Sequence, residues 1–547
     1  MPDEPVRSIA NQDRLEALGR AMNTRSGARH VRPTRRSRKR IVLISLATAA
    51  FVIVAAVVGD YFYLNSLVNR VAVGGETRTY NNTENILLVG STTRCGLKHQ
   101  NKAYGLCVNT SGVNSDVVMV LHLNLTTNKV SILSIPRDLF VPNARTSGAN
   151  KIDAALAEGP TQLVAAVQDD FGIPINHYVE LNFDTFASVV NVLGGINMYF
   201  PMQIFDAESD LNIRHTGCIH LDGYHALQVV RARHLQIRMP GEGFAHKYWT
   251  QEALSDLARI RRDHEFIKVL ASAVKARGIA NPVTDQRLAT AVAPFLTVDS
   301  GFSTTHMFSL LEHFHGVSVG TAPQLTMPVV LVETGSYLYK GYKYGDVEFP
   351  IEPGVSSVVH QFLGLSASTN TMGGKALPKD SSITVSVVDG TTVATEGHSV
   401  ARGLARYGFK ISAVAHEAPW GTRTETVVYH RSNSAASLGA AQAVLHTMQG
   451  PAVMAIGHVI KGSLVTVITG TDLGISPVPS THSATTTTVT RRHRGTSTTT
   501  TQPVTAVTVV DPNAVRHDTL LSAPTDVTQA LAPWDPRSCG PNNTAGP

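Results

Sequence analysis

The sequence predicts a mixed α/β protein: a large domain with a central sheet, a small βαββαββ domain after it, and one transmembrane helix before it. Three observations predict this. Short β-branched runs alternate with segments of helical apolar spacing from residue 82 onward. A polar break at 364–381 divides that alternation in two. An uncharged apolar run stands ahead of both. Interleaved strands and helices imply mixed α/β layers rather than an all-helical or all-strand core. The length of 547 residues suits two to four domains, and 43% hydrophobic content is ample for a large core.

Residues 1–40 read as a polar, basic cytoplasmic arm. Eight basic residues and no acidic one lie between Arg25 and Arg40. They exceed the whole formal excess of +6, so the rest of the chain is close to neutral. Residues 41–63 read as the membrane helix. Ile41–Val58 carries no charge, and extension through Tyr61, Phe62 and Tyr63 gives about the 20 residues that span a bilayer. The tyrosines suit the far interface, and the basic flank holds the N-terminus inside. A cleaved leader is the alternative, but no small-x-small site follows the run. The expected location is therefore the cell membrane, single-pass, with the main domains outside. Nucleic-acid binding through the basic arm is the weaker reading, because orientation already accounts for those charges and the core lies across the membrane.

Residues 64–81 form a short polar connector, and the large domain occupies 82–363. ILLVG (86–90), DVVMVLHLNL (116–125) and KVSILSI (129–135) are apolar, β-branched and ended by turn residues, so they read as strands, with TTNK turning the last two into a hairpin. Helical spacing covers 160–171 and 183–193, GINMYFP (195–201) returns to a strand, and 221–234 and 255–276 are helices. In the last of these Leu257, Ile260, Phe266, Leu270 and Ala271 lie near one face. A helix near 303–315 and a strand near 325–333 continue the domain. Residues 364–381, rich in Ser, Thr, Gly, Lys and Pro, read as a linker. The small domain follows at 382–473, with Gly408 and Gly450 expected to end its two helices. Beyond it, 474–547 collapses to Ser, Thr, Pro and Val and is expected to be a disordered tail.

Four cysteines are present. Cys95 and Cys107 flank a polar loop and either close it as a disulfide or remain two thiols; their spacing does not suit zinc. Cys218 and Cys539 are too isolated to assign. GxSxG, HExxH and P-loop patterns are absent, which removes the familiar nucleophile, zinc-protease and NTPase classes. Arginines gather instead at element ends: Arg94, Arg137, Arg231, Arg233, Arg259 and Arg262. Guanidinium groups bind phosphate oxygens in pairs and keep their charge, so the set suggests an anion site; ordinary surface ion pairs are the alternative. Asp116 and Asp138 could each hold Mg2+ or accept a hydroxyl proton, with a capping or turn role as the alternative. His234 suits packing or capping better than base chemistry.

These pieces occur together in one known family. Residues 85–275 resemble the LytR-CpsA-Psr cell-wall glycopolymer ligases through NILLVGSTTR, NSDVVMVLHLN, VSILSIPRD, KIDAAL, FGIPINHYVELNF, VLGGIN, LDGYHALQVVRARH and LARIRRDHEF. Residues 382–473 resemble the LytR C-terminal domain of actinobacterial members. The resemblance implies transfer of a glycan phosphate from a polyprenyl diphosphate to a peptidoglycan muramic acid hydroxyl. Its partners are thus a polyprenyl-diphosphate-linked glycan, peptidoglycan and the membrane, with no nucleic acid, and an arabinogalactan-like polymer is the glycan to which the actinobacterial type points. It implies that Arg137, Arg231 and Arg233 clamp the diphosphate, that Arg94, Arg259 and Arg262 support them, that Asp116 is the Mg2+ or proton-handling carboxylate, and that Asp116 and Arg137 are the catalytic residues. Three positions depart from the family pattern: Thr92 replaces an aspartate, Asn114 an arginine, and Asp263-His264 a glutamine pair. A non-catalytic envelope scaffold that binds lipid-linked glycan or wall is the alternative function.

Overall fold

The computed structural model describes Gly59, residues 62–77, 82–95, 107, 112–253, 255–276, 290, 293–314, 316–317, 322–332, 337–393, 395–416, 423–476, 521–522 and 530–540. Apart from Gly59, Phe62 and Tyr63, the expected arm and membrane helix lie outside the described residues. Among the described residues no helix is long and apolar enough to cross a membrane.

A seven-stranded sheet forms the centre of the large domain. Its strands are β1 (Asn69–Val71), β2 (Thr83–Ser91), β3 (Ser115–Asn124), β4 (Lys129–Ile135), β5 (His177–Leu181), β6 (Thr297–Asp299) and β7 (Gln324–Thr326), in the order β1-β6-β5-β2-β3-β4-β7. The expected hairpin is there. Asn124 Oδ1 accepts from the backbone N–H of Thr126 and Thr127, and Asn128 takes the left-handed conformation that closes the turn. Alternation along β2 divides its side chains between two cores: Leu87 and Val89 face one, Ile86 and Leu88 the other.

The helices follow the apolar spacing. They are α1 (Pro160–Phe171), α2 (Phe183–Val192), α3 (Gly223–Arg231), α4 (Ser255–Ala276), α5 (Thr304–Phe314) and α6 (Gly354–Leu363). Helix α2 opens with a reciprocal cap between Asn182 and Thr185. Helices α1 and α6 cover the first face of the sheet with Leu163, Val167, Val355 and Phe362, and α5 covers the second with Leu310. The expected strand near 325–333 is divided between β7 and β8 (Val329–Val332), which belong to different sheets.

The second sheet joins β8 and β9 (Val347–Glu352) to β10 (Thr384–Asp389), β11 (Lys410–His416), β12 (Thr426–His430), β13 (Met448–Ile456) and β14 (Val465–Ile468). Helices α7 (Glu396–Tyr407) and α8 (Ala435–Leu445) pack on it. Strand β9 pairs with β13 through Ile351 to Pro451 and Glu352 to Gly450, so the two sequence domains share one sheet. They share a core too, because Val427, Val453 and Ala455 lie in the same cluster as Leu87 and Leu133.

Three expectations need correction. Residues 364–381 are no loose linker. Thr371 Oγ1 donates to the Gly172 carbonyl at 2.5 Å, Asn370 Nδ2 donates to the Ala435 carbonyl at 2.5 Å, and both side chains are buried. The polar composition satisfies backbone groups at the ends of α1 and α8, which composition alone reads as flexibility. Within the tail, residues 530–540 are ordered: Arg537 and Ser538 pair with the strand Ile196–Phe200, Trp534 packs beside it, and Asp535 is fully buried. Gly408 ends α7 in the left-handed conformation, but Gly450 caps nothing. It sits inside β13 with φ of +98°, where an added Cβ would strike the Asp472 carbonyl.

Candidate functional site

Strand direction alone delivers the first site residues. Strands β2 and β4 both run antiparallel to β3, so the end of β2, the start of β3 and the end of β4 meet at one edge of the sheet. Thr92, Asn114, Asp116 and Arg137 follow from that register. The Arg137 guanidinium pairs with the Asp116 carboxylate. Asp138, next in the chain, is a second hub. It receives Arg233 Nη2 at 2.7 Å, Lys151 Nζ at 2.8 Å and Arg137 Nε at 3.5 Å.

Other elements carry the remaining partners. Lys151 ends a hairpin that sets it opposite Phe140. Arg233 lies two residues past the end of α3. Asp256, in the first turn of α4, takes Arg233 Nε at 3.4 Å and Arg259 Nη2 at 2.8 Å. Arg259 also donates to the Asp116 carbonyl at 2.6 Å and approaches Asp263 at 3.7 Å. Arg259 is therefore buried and holds the strand that bears Asp116. Arg94 and Arg231 both lie over the Phe183 ring, at 6.0 and 4.8 Å from its centroid.

Arg262 departs from the expected role. It is fully buried, donating to Glu252 at 2.5 Å and to the Ala232 carbonyl at 2.7 Å, and it lies 3.6 Å from Asp535. It braces α4 against the ordered tail segment and is out of a ligand's reach. His234 pairs with Glu208 at 3.1 Å, away from the hubs. Cys95 and Cys107 are joined, and so are Cys218 and Cys539; no cysteine is free.

The two single-residue departures from the family pattern are partners. Thr92 Oγ1 accepts from the Asn114 backbone N–H at 3.0 Å, and the Thr92 N–H donates to the Asn114 carbonyl at 2.8 Å. Asn114 Nδ2 donates in turn to Asp153 at 3.3 Å. A neutral pair thus stands where the pattern has an acid and a base. His264, the other departure, meets Ser134 Oγ through Nε2 at 2.7 Å, and burial pushes its pKa down to about 4.

Electrostatics sort the carboxyls into two kinds. Burial alone would raise Asp138, but Arg137, Arg233 and Lys151 outweigh it and hold it below the ordinary carboxylate range. Burial pushes Asp153 up to about 6 and Asp263 to about 7, against the pull of nearby arginines. Burial also raises Glu348 well above its usual range, with help from Asp256 and Asp138. Burial opposes the Arg137 cation, yet Asp116, Asp138, Asp153 and Asp256 together keep it charged. Arg137, Asp116, Lys151 and Arg233 keep about a fifth of their side-chain surface open, so ligand oxygens can reach them.

One carboxylate oxygen of Asp116 pairs with Arg137; Oδ2 has no protein partner among the described residues. Mg2+ is commonly held by one or two carboxylates plus substrate phosphates, so this donor set fits that ion. Sequence reasoning noticed Asp138 but not its role as a hub. Lys151, Asp153 and Phe183 lie inside quoted motif stretches with no role attached. Asp256 and Glu348 carried no signal, since only tertiary packing brings them in.

Fold and site together define an α/β protein with an arginine–carboxylate cluster at the edge of its central sheet. The LytR_cpsA_psr family model matches residues 65–348, more than half of the chain, and the chain belongs to that family. A second model, described as LytR cell envelope-related transcriptional attenuator, matches 382–473. The chain is 32% identical over 267 residues to the probable cell wall biosynthesis protein LcpB of Corynebacterium glutamicum, covering 48% of this chain and 59% of that protein. It is 36% identical over 127 residues to the polyisoprenyl-teichoic acid–peptidoglycan teichoic acid transferase TagV of Bacillus subtilis, covering 22% and 32%. These curated relatives are thus matched over less than two thirds of their length. Among solved structures, a LytR-Csp2A-Psr enzyme from Actinomyces oris aligns at TM-score 0.40 and 24% identity over 48% of this chain and 87% of that one. B. subtilis TagV aligns at 0.38 and 23% over 53% and 100%.

Proposed function

We propose that this chain is a cell-wall glycopolymer ligase that moves a glycan phosphate from a polyprenyl diphosphate to a muramic acid hydroxyl of peptidoglycan. The observation that carries the reading is the linked set Asp116–Arg137–Asp138–Arg233, partly open at one sheet edge. In this reading Arg137, Arg231 and Arg233 clamp the diphosphate, with Arg94 beside Arg231. The carboxylates hold the guanidinium groups in place before the ligand arrives, which lowers the reorganisation that binding requires. The acceptor hydroxyl oxygen attacks the glycan-side phosphorus, forming a P–O bond. The P–O bond to the bridging oxygen breaks, polyprenyl phosphate leaves, and Asp116 takes the hydroxyl proton. Arg259 positions Asp116 through its carbonyl. In the alternative role for this carboxylate, Asp116 Oδ2 would hold Mg2+, which supplies charge neutralisation on the phosphate oxygens, and the hydroxyl proton would pass to water.

The glycan in this reading is an arabinogalactan-like polymer, and the chain is anchored by 41–63 with the main domains outside the cell. Two disulfides favour an oxidising compartment. The second reading, a scaffold without turnover, is favoured by the neutral Thr92–Asn114 pair. The test incubates the purified full-length chain with polyprenyl-diphosphate glycan, Mg2+ and peptidoglycan. Glycan attachment by wild type, reduced about a hundredfold or more in Arg137→Ala, is expected. Lipid binding without attachment in the wild type supports the scaffold. Neither binding nor attachment overturns both.

A further inference from the structure

We propose that Glu84, His177 and His306 form a binding site for a divalent transition cation of the zinc class, separate from the arginine–carboxylate cluster. The sheet order builds it. Strand β5 lies between β6 and β2, so His177 at the start of β5 has Asp299 on one flank and, on the other, Ile86 of β2 with Glu84 two residues before it. Ser303 caps α5 by accepting from the His306 N–H at 3.1 Å, and that first turn brings the His306 ring across. One ligand atom from each of Glu84, His177 and His306 lies within 4.8 Å of the others. Residues up to 222 positions apart thus converge, which hairpin geometry or local sequence cannot arrange.

The surroundings resemble those of a metal-bound imidazole. Metal-ligating histidines almost always bond a carboxylate or carbonyl through their other ring nitrogen, which fixes the ring. His177 does this through Nδ1, 3.2 Å from Asp299 Oδ2. Asp299 is itself fixed, accepting from the Tyr178 N–H at 3.0 Å and the Phe302 N–H at 2.7 Å. The Phe302 ring stacks on His177 at 4.1 Å, so the imidazole cannot rotate freely. His177 Nε2 has no hydrogen-bond partner among the described residues and is the nitrogen left to a cation. His306 Nε2 already faces both Glu84 oxygens, at 3.1 and 2.9 Å. Glu76 forms a further ligand group with His177 and Asp299, and its buried Oε1 lacks any hydrogen-bond partner. The Glu76 and Asp299 carboxyls share a hydrogen bond, and neither Glu84 nor His306 belongs to that group.

The chemistry selects the ion. Two imidazoles and a carboxylate suit Zn2+, whereas Mg2+ and Ca2+ prefer oxygen donors alone. Three protein ligands leave a fourth position for water. His306 keeps 38% of its side-chain surface exposed, which gives the ion a route in.

The test uses the untagged full-length chain, stripped with a chelator and titrated with Zn2+ against a chromophoric competitor. One tight equivalent is expected, with Co2+ giving d–d absorption bands of an imidazole-bearing site and with no displacement by excess Mg2+. His306→Ala and Glu84→Gln should each weaken Zn2+ binding about tenfold or more, while Arg137→Ala binds as wild type. Zinc should raise the thermal unfolding temperature of the wild type but not of His306→Ala. Absence of a stoichiometric equivalent overturns the proposal. So does unchanged binding in both ligand variants, or loss of binding in Arg137→Ala.

Discussion

Asp153 shows how one side chain couples the site to pH. Its carboxyl is buried, accepts from Asn114 and sits at about 6, well above the ordinary value near 4. Its folded pKa is raised, so between about pH 4 and 6 the folded chain binds more protons than the unfolded one. Its contribution to stability is therefore present at low pH and lost as pH rises through that window, on the order of 2–3 kcal/mol. Asp153→Asn should remove that part of the pH dependence and leave the chain more stable than wild type at pH 7. Unfolding curves of both chains between pH 4 and 8 check this; parallel profiles would refute it. At this scale the motifs made Arg137, Asp116 and Arg233 legible, because turns and strand ends are written locally. The partners of each charge were not legible. Whether Arg259 and Arg262 face a ligand or a buried carboxylate depends on what packs against α4. Two arginines three positions apart look alike in the sequence.

At the scale of elements, α4 is the informative case. Its apolar spacing made the helix and the burial of Leu257, Ile260 and Phe266 legible. The spacing could not reveal that charged residues are buried beside them, since Arg259, Arg261 and Arg262 are out of water too. They are tolerated because each is paired. Arg261 meets Asp535 at 2.5 Å and Glu252 at 3.0 Å, and Trp534 Nε1 donates to the same Glu252 at 2.9 Å. The acid that completes this group arrives from 274 positions along the chain, in a region whose composition reads as disordered. Asp535→Ala should leave two buried guanidinium groups short of a counter-charge and cost about 3–5 kcal/mol. Denaturant unfolding reads the loss, and a midpoint within error of wild type would contradict the assignment. Residues 364–381 teach the same lesson on a smaller scale, with Thr371 bonding the C-terminal end of α1 and Asn370 the first residue of α8, both far away in the sequence.

For the whole molecule, the division into two α/β stretches is visible in the sequence, but their union is not. The pairing of β9 with β13 and the common apolar cluster bind 65–348 and 382–473 into one folded body. Antiparallel pairing between distant strands has no local signature, and a register shared across 100 residues cannot be read from alternation alone. The Cys218–Cys539 bond has a consequence for that body. Residue 476 and residues 530–540 both lie on the folded body and Cys539 is joined to Cys218, so the chain between 476 and 530 is tethered at both of its ends. One protease cut inside it should leave a single band on a non-reducing gel and two bands once thiol is added. Two bands without thiol would show that Cys539 is not joined to Cys218.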